Sequence, residues 1–204
     1  MLQCRISIVN NDKYMDTPYL SDAEVRQLLD SIFIVEHKTA IQMGIDLGCR
    51  VGEIITIPNL PEFTFNIQIL DSKSENEVKK KSKTSRTPYR QCLITRSTLN
   101  QIRTFQVTLK NKKDNRKLLF PYDEKTLNRW LKHWCEVAGI KRDNKRLIRW
   151  HMLRHTYVQN AINKKVDLKK VSLQTGDSIY TLINYYNNYT LDQRQLTAEE
   201  TSLV

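Results

Sequence analysis

The chain has 204 residues and carries 33 Lys and Arg against 22 Asp and Glu, a formal net charge of +11. That length allows one large core or two small ones, and the cationic excess leans towards a polyanionic partner. Cys4, Cys49, Cys92 and Cys135 lie far apart with no C-x-x-C pair, which argues against a disulfide framework or a zinc site and for reduced thiols inside a cell. No apolar run reaches membrane-spanning length and the start lacks the apolar core of a signal peptide, so no membrane partner is expected.

Residues 1–17 have little pattern and read as a lead-in segment. "SDAE" at 21–24 is a capping box opening a helix with Val25, Leu28, Leu29 and Ile32 on one side. A second helix covers 37–47 and stops near Gly48, and a third runs from Arg50 through Ile54 and Ile55 to Pro58. The texture then changes: "TFNIQIL" (64–70) and "PYRQCLI" (88–94) alternate apolar and polar residues as strands do, with a long polar loop between them. A helix at 97–106 precedes the basic connector "KNKKDNRK" at 110–117.

Asp123 is placed to cap a helix over 124–138 that buries Leu127, Trp130, Leu131 and Trp134 and ends at Gly139. After "KRDNKRLIR" comes a helix over 149–163, with Trp150, Leu153, Tyr157, Val158 and Ala161 as a core stripe and His151, Arg154 and His155 as a cationic edge. Asp167 caps a short helix ended by Gly176, a last helix covers 179–188, and a polar tail fills 189–204. The fold expected is mainly α with one small antiparallel β-hairpin (α+β), in a single domain over 18–188.

Three constellations could carry chemistry. In "DLGCRVGEI", Arg50 starts a helix three residues before Glu53, a spacing that also suits a plain ion pair. His151, Arg154 and His155 place a guanidinium fork and two imidazoles on one helix edge, suited to phosphate oxygens or to solvent alike. "GDSIYTLINYYNN" sets several tyrosines on an apolar helix, where such residues commonly serve as core.

Taken in order, these boxes resemble the catalytic domain of the tyrosine recombinase, or phage integrase, family. "LGCRVGEII" is similar to the family's Thr-Gly-x-Arg-x-x-Glu-Leu at Gly48, Arg50 and Glu53, and "HMLRHT" matches every fixed position of His-x-Leu-Arg-His-Thr. "PYLSDAEVRQLL" is similar to the family's usual opening, so the resemblance extends from residue 18 to about 188. It implies metal-free, cofactor-free strand transfer on double-stranded DNA through a 3′-phosphotyrosyl intermediate, by a homotetramer, in a prokaryotic cell or from a virus or mobile element. Arg50 and Arg154 would clamp the scissile phosphate, His151 would donate beside them, Glu53 would hold neighbouring groups, and His155 would stand one layer back.

The same resemblance leaves alternatives. The family's spacing without a gap lands on Tyr186 as nucleophile, whereas aligning "SIYT" shifts it to Tyr185, and Tyr189 follows. The acid lysine is Lys83 by the local string "SKTSR" and Lys73 by counting from Arg50. Where the family has Gly-His, or a Trp in the His position, this chain has Gly176-Asp177. A carboxylate about 4 Å from a phosphate oxygen is repelled by roughly 4 kcal/mol at an effective dielectric near 20, so Asp177 is expected to point away and pair with a cation. A protonated carboxyl or an impaired site are the other options. Basic clusters at 79–90, 110–117 and 141–149 are expected to meet DNA phosphates. Two rival activities are a type IB topoisomerase-like relaxation and a DNA-binding module of the same fold that has lost its chemistry.

Overall fold

The structure, a computed structural model, describes residues 18–70, 89–142 and 148–186, with the backbone alone described at 184–186. Helix α1 (Asp22–Ser31) opens on the capping box: Ser21 Oγ accepts from the Glu24 amide at 3.3 Å, and Glu24 Oε2 accepts from the Ser21 amide at 2.9 Å. α2 (Val35–Leu47) is the centre of the domain, buried from Thr39 to Ile45 and again at Leu47. No polar face is left for solvent there because α4 (Arg96–Asn111) and α6 (Trp150–Asn163) pack against it from different sides. Its few polar groups find partners in α4: Gln42 Nε2 donates to Ser97 Oγ at 3.0 Å, and the Thr98 hydroxyl donates to Asp46.

α3 (Val51–Ile54) is shorter than the apolar run through Ile55 and Ile57 suggests. The chain leaves the helix because Ile57 and Asn59 pair with residues 117–119 instead: the Leu119 amide donates to Ile57 O at 2.9 Å and the Asn59 amide to Lys117 O at 2.8 Å. The other elements follow the expected pattern with shifted ends. α4 continues to Asn111, into what reads as a basic connector, because Leu109 is still buried. α5 (Glu124–Val137) is capped by Asp123, whose side chain accepts from the Thr126 amide at 2.7 Å, and it buries Leu127, Leu131 and Trp134 fully, with Trp130 half-buried.

Strands β1 (Asn66–Leu70) and β2 (Tyr89–Leu93) form an antiparallel pair with Gln68 opposite Gln91. Ile67 and Ile69 face inward, and the register sets Cys92 and Arg90 opposite them. The hairpin is pinned to α7 (Leu168–Thr175) by Gln174, whose side chain completes the β2 edge: Oε1 accepts from the Leu93 amide at 2.9 Å and Nε2 donates to Leu93 O at 3.0 Å. Asp167 caps α7 through the Lys169 and Lys170 amides, and Gly176 closes it.

One large core joins α1 to α6 and the hairpin. A small second cluster of Val158, Ala161, Val171 and Leu182 seats α8 (Ile179–Tyr186) on α6 and α7. Each fully buried aliphatic side chain in these clusters contributes about 1.5–3 kcal/mol relative to exposure. Among the described residues no helix is long and apolar enough to cross a membrane.

Candidate active site

Two left-handed turns bring the site together. Gly48 ends α2 at φ +61°, where a Cβ would lie 2.8 Å from the Tyr157 ring. Gly176 ends α7 at φ +74° against the Arg90 side chain. Both turns need a residue without a Cβ. The first aims Arg50 across the domain from the start of α3, and the second aims Asp177 at it from the start of the α7–α8 connection.

Arg154 comes from α6. It is 1% exposed, so the guanidinium lies inside the protein rather than on the exposed helix edge that its spacing suggests. It is held on several sides: Nη1 donates to Gly48 O at 2.7 Å and Nη2 to Thr175 O at 2.8 Å, while Nε donates to Asp177 Oδ2 at 3.1 Å. Nη2 and the same carboxylate oxygen form an ion pair. Arg50 Nη2 donates to the other oxygen, Asp177 Oδ1, at 2.8 Å. Arg50 and Arg154, far apart in the chain, therefore converge on one anion, a carboxylate. Asp177 does pair with cations, but it does not point away. It sits between the two guanidiniums, 8% exposed, because a carboxylate so placed neutralises the buried Arg154 charge and pairs with Arg50 as well.

Glu53 is 0% exposed and organises the opposite side. Its Oε2 accepts from the Arg50 amide at 2.7 Å and its Oε1 from Arg50 Nη1 at 3.0 Å. The plain ion pair and the site role are thus one arrangement. Arg90 then clamps both oxygens, Nη1 to Oε1 at 2.6 Å and Nη2 to Oε2 at 2.7 Å, and donates from Nε to Gln174 O at 3.1 Å. Burial alone would raise the Glu53 carboxyl, but the bonds and charge of Arg90, with Arg50 behind them, hold it below its usual value.

Arg90 is a residue of this cluster that the sequence alone does not single out, because it falls at the end of a basic stretch expected to meet DNA phosphates. The signal was the strand alternation, which puts residue 90 in phase with Cys92 and Ile94 on the inward face. Arg116 and Arg142 of the other two clusters are also turned to internal acids: Arg116 pairs with Glu36 and Asp114, and Arg142 Nη1 bonds Glu24 Oε1 at 2.7 Å. Lys110, Lys112, Lys113, Lys117 and Lys141 stay exposed.

His151 is exposed at the start of α6, and its ring meets the His155 ring edge-on at 5.1 Å. Although one side of the ring is open to solvent, desolvation by the protein around it, then the Arg154 and Arg50 charges, lowers the His151 pKa. Burial, then His151 and Arg154, pushes His155 down to about 4. With both rings neutral at pH 7, the three guanidiniums and two carboxylates of the cluster leave a single positive charge. Such a site can bind one anion only weakly unless a carboxylate moves. Tyr185 and Tyr186 belong to α8 through their backbone. Lys73, Lys83 and Tyr189 lie outside the described residues.

A mostly helical domain with, among the described residues, one two-stranded antiparallel sheet has the catalytic-domain fold of the tyrosine recombinases. The chain belongs to the phage integrase family, whose model matches residues 18–192. It is similar in structure to the XerA recombinase at TM-score 0.70 and 16% identity, covering 91% of this chain and 66% of that one. The catalytic domain of the bacteriophage HP1 integrase matches at TM-score 0.60 and 14% identity, over 92% of this chain and 97% of that one. XerH recombinase bound to its difH substrate matches at TM-score 0.64 and 19% identity, over 87% of this chain and 52% of that one. The chain thus spans 66% and 52% of the XerA and XerH chains. No curated protein matches by sequence.

Proposed function

We propose that the chain is the strand-transferring catalytic domain of a DNA site-specific recombinase or integrase. The observation that carries this is the convergence of Arg50 and Arg154 on the two oxygens of one carboxylate. Two guanidiniums so placed bind a pair of non-bridging phosphate oxygens equally well, and they spread the charge of a phosphoryl-transfer transition state without a metal.

In this reading the phenol oxygen of Tyr186, or of its neighbour Tyr185, attacks the phosphorus of a DNA phosphodiester and releases its proton to water, from which it is regained when the step reverses. The bond to the 5′-oxygen breaks, and that oxygen takes a proton from a hairpin lysine, Lys83 or Lys73. A 3′-phosphotyrosyl link and a free 5′-hydroxyl result. Attack by the 5′-hydroxyl of a second strand reverses each step, returns the proton to the lysine and frees the tyrosine. Bond energy is held in the protein–DNA link, so no nucleotide cofactor takes part. A phenol with pKa near 10 is a weak nucleophile at neutral pH, and the arginines favour the charge that appears as it attacks. His151 donates from the rim. Glu53 and Arg90 are positioning residues that fix Arg50.

The partners in this proposal are double-stranded DNA and further copies of the chain, as a tetramer on two sites inside a cell. The XerH and Tn1549 integrase neighbours were solved with their DNA.

The test is a pool of duplexes with a randomised core and a nick near the centre, so that a cleaved end diffuses away. A denaturant-resistant protein–DNA adduct should accumulate, and peptide mass should place it on Tyr186 or Tyr185. The adduct should vanish in the matching Phe variant. DNA binding without any adduct would replace this proposal with a binding module.

A further inference from the structure

We infer that Asp177 is an internal competitor for the DNA phosphate: its carboxylate occupies the arginine clamp at rest, and phosphate enters only as that side chain swings out. The inference rests on the reading above, in which Arg50 and Arg154 hold the scissile phosphate.

A guanidinium has five N–H donors in a plane. For Arg154, Nη1 serves Gly48 O, Nη2 serves Thr175 O, and both Nε and Nη2 face Asp177 Oδ2. The edge that could present a two-pronged fork to an oxyanion is therefore the edge Asp177 covers. Arg50 has the same conflict: Nη1 is turned to Glu53 and Nη2 to Asp177 Oδ1. Phosphate and Asp177 cannot both take these positions, because like charges in contact in a shielded site repel.

The backbone around the carboxylate is fixed. The Asp177 amide donates to Thr175 Oγ1 at 3.3 Å, and the Ser172 hydroxyl donates to Asp177 O at 2.7 Å. Release is thus a rotation of the side chain, not an opening of the turn. Until it happens, the carboxylate holds two guanidiniums at the separation an oxyanion needs. Asp177 is in that sense a positioning residue whose own charge must leave before chemistry.

Sulfate is the probe, since it is a tetrahedral oxyanion whose charge does not change near neutral pH. Its affinity is measured by calorimetry at constant ionic strength for wild type, Asp177→Asn and Asp177→His. Both variants should bind at least about tenfold tighter, about 1.4 kcal/mol, and the gain should disappear in Asp177→Asn/Arg50→Gln. A merely structural role would lower affinity instead. Equal or weaker binding in both folded variants would overturn the inference.

If neither variant folds, wild type decides: the Arg154 Nε–H resonance, bonded to Asp177 at rest, should move on sulfate saturation. A stationary resonance would refute the inference. The sulfate result stands apart from strand transfer. Tighter sulfate without any adduct from the duplex pool would sink the recombinase reading and keep the competitor. An adduct with unchanged sulfate affinity would do the reverse.

Discussion

Replacing Glu53 by Gln tests whether the site is held together by charge. The carboxylate accepts from the Arg50 amide, from Arg50 Nη1 and from both ends of Arg90, and it is fully buried. An amide keeps one acceptor but turns an NH2 group towards two guanidiniums, which leaves a buried charge without its partner. Breaking a buried pair in this way costs about 3–5 kcal/mol. For a domain of this size each kcal/mol moves the midpoint by about 2–4 °C, so thermal unfolding followed by circular dichroism should drop by roughly 10 °C. Arg90→Gln should cost a similar amount, and the double variant less than the sum by a coupling of about 1–3 kcal/mol. The pH dependence follows from the same bonds. The Glu53 carboxyl is held below the 4.5 of an unperturbed glutamate, so its stabilisation is fully present above that value and is lost as pH falls through the lower folded value. Glu53→Gln should flatten this acid limb. Additive single-variant losses, or a drop of less than about 1 kcal/mol in Glu53→Gln, would refute a buried ion-pair network as the frame of the site.

Arg154→Lys keeps the charge but replaces a planar fork with one point of donation, and it cannot serve Gly48 O, Thr175 O and an oxyanion together. Adduct formation should fall by at least about a hundredfold while overall DNA affinity changes little, and undiminished adduct would remove Arg154 from the chemistry. His155 has a folded pKa of about 4 against an ordinary 6.5, so the unfolded chain takes its proton first. Stability in urea should therefore decline from pH 6.5 towards 4, with His155→Gln showing a shallower decline, and identical slopes would contradict the half-buried, neutral ring.

What was legible in the sequence was local. Ser21, Asp123 and Asp167 cap the helices they precede because a cap bonds amides two or three residues away. The apolar spacing of α5 and the alternation of the hairpin gave their buried faces directly. Arg50 and Arg154 could be matched only by the resemblance of their motifs, since nothing local states that residues so distant meet. Arg90, Arg116 and Arg142, which the sequence groups with the basic clusters, are hard to read for the same reason. Apart from Asp114 beside Arg116, their acids, Glu24, Glu36 and Glu53, stand on other elements, and a charge counted along the chain does not show which partner it has already taken.

Asp177 shows the same limit from the opposite side. Its repulsion from a phosphate is a sound argument for the DNA-bound state, and it excludes a carboxylate resting in the clamp beside one. In the free protein the comparison is different: Arg154 is fully buried with Asp177 as its carboxylate partner, and leaving that guanidinium to carbonyl oxygens alone costs more than the desolvation of one carboxylate that pairs with it and with the half-buried Arg50. The same residue is thus stabilising when DNA is absent and opposed when DNA is present, and its side chain is the element whose position must differ between those states. A His at that position, as the family usually has, offers a donor to the phosphate and no anion to the free clamp. On the proposed reading, exchanging one for the other fills the arginine clamp with the chain's own carboxylate, which is why Asp177→Asn and Asp177→His carry its test.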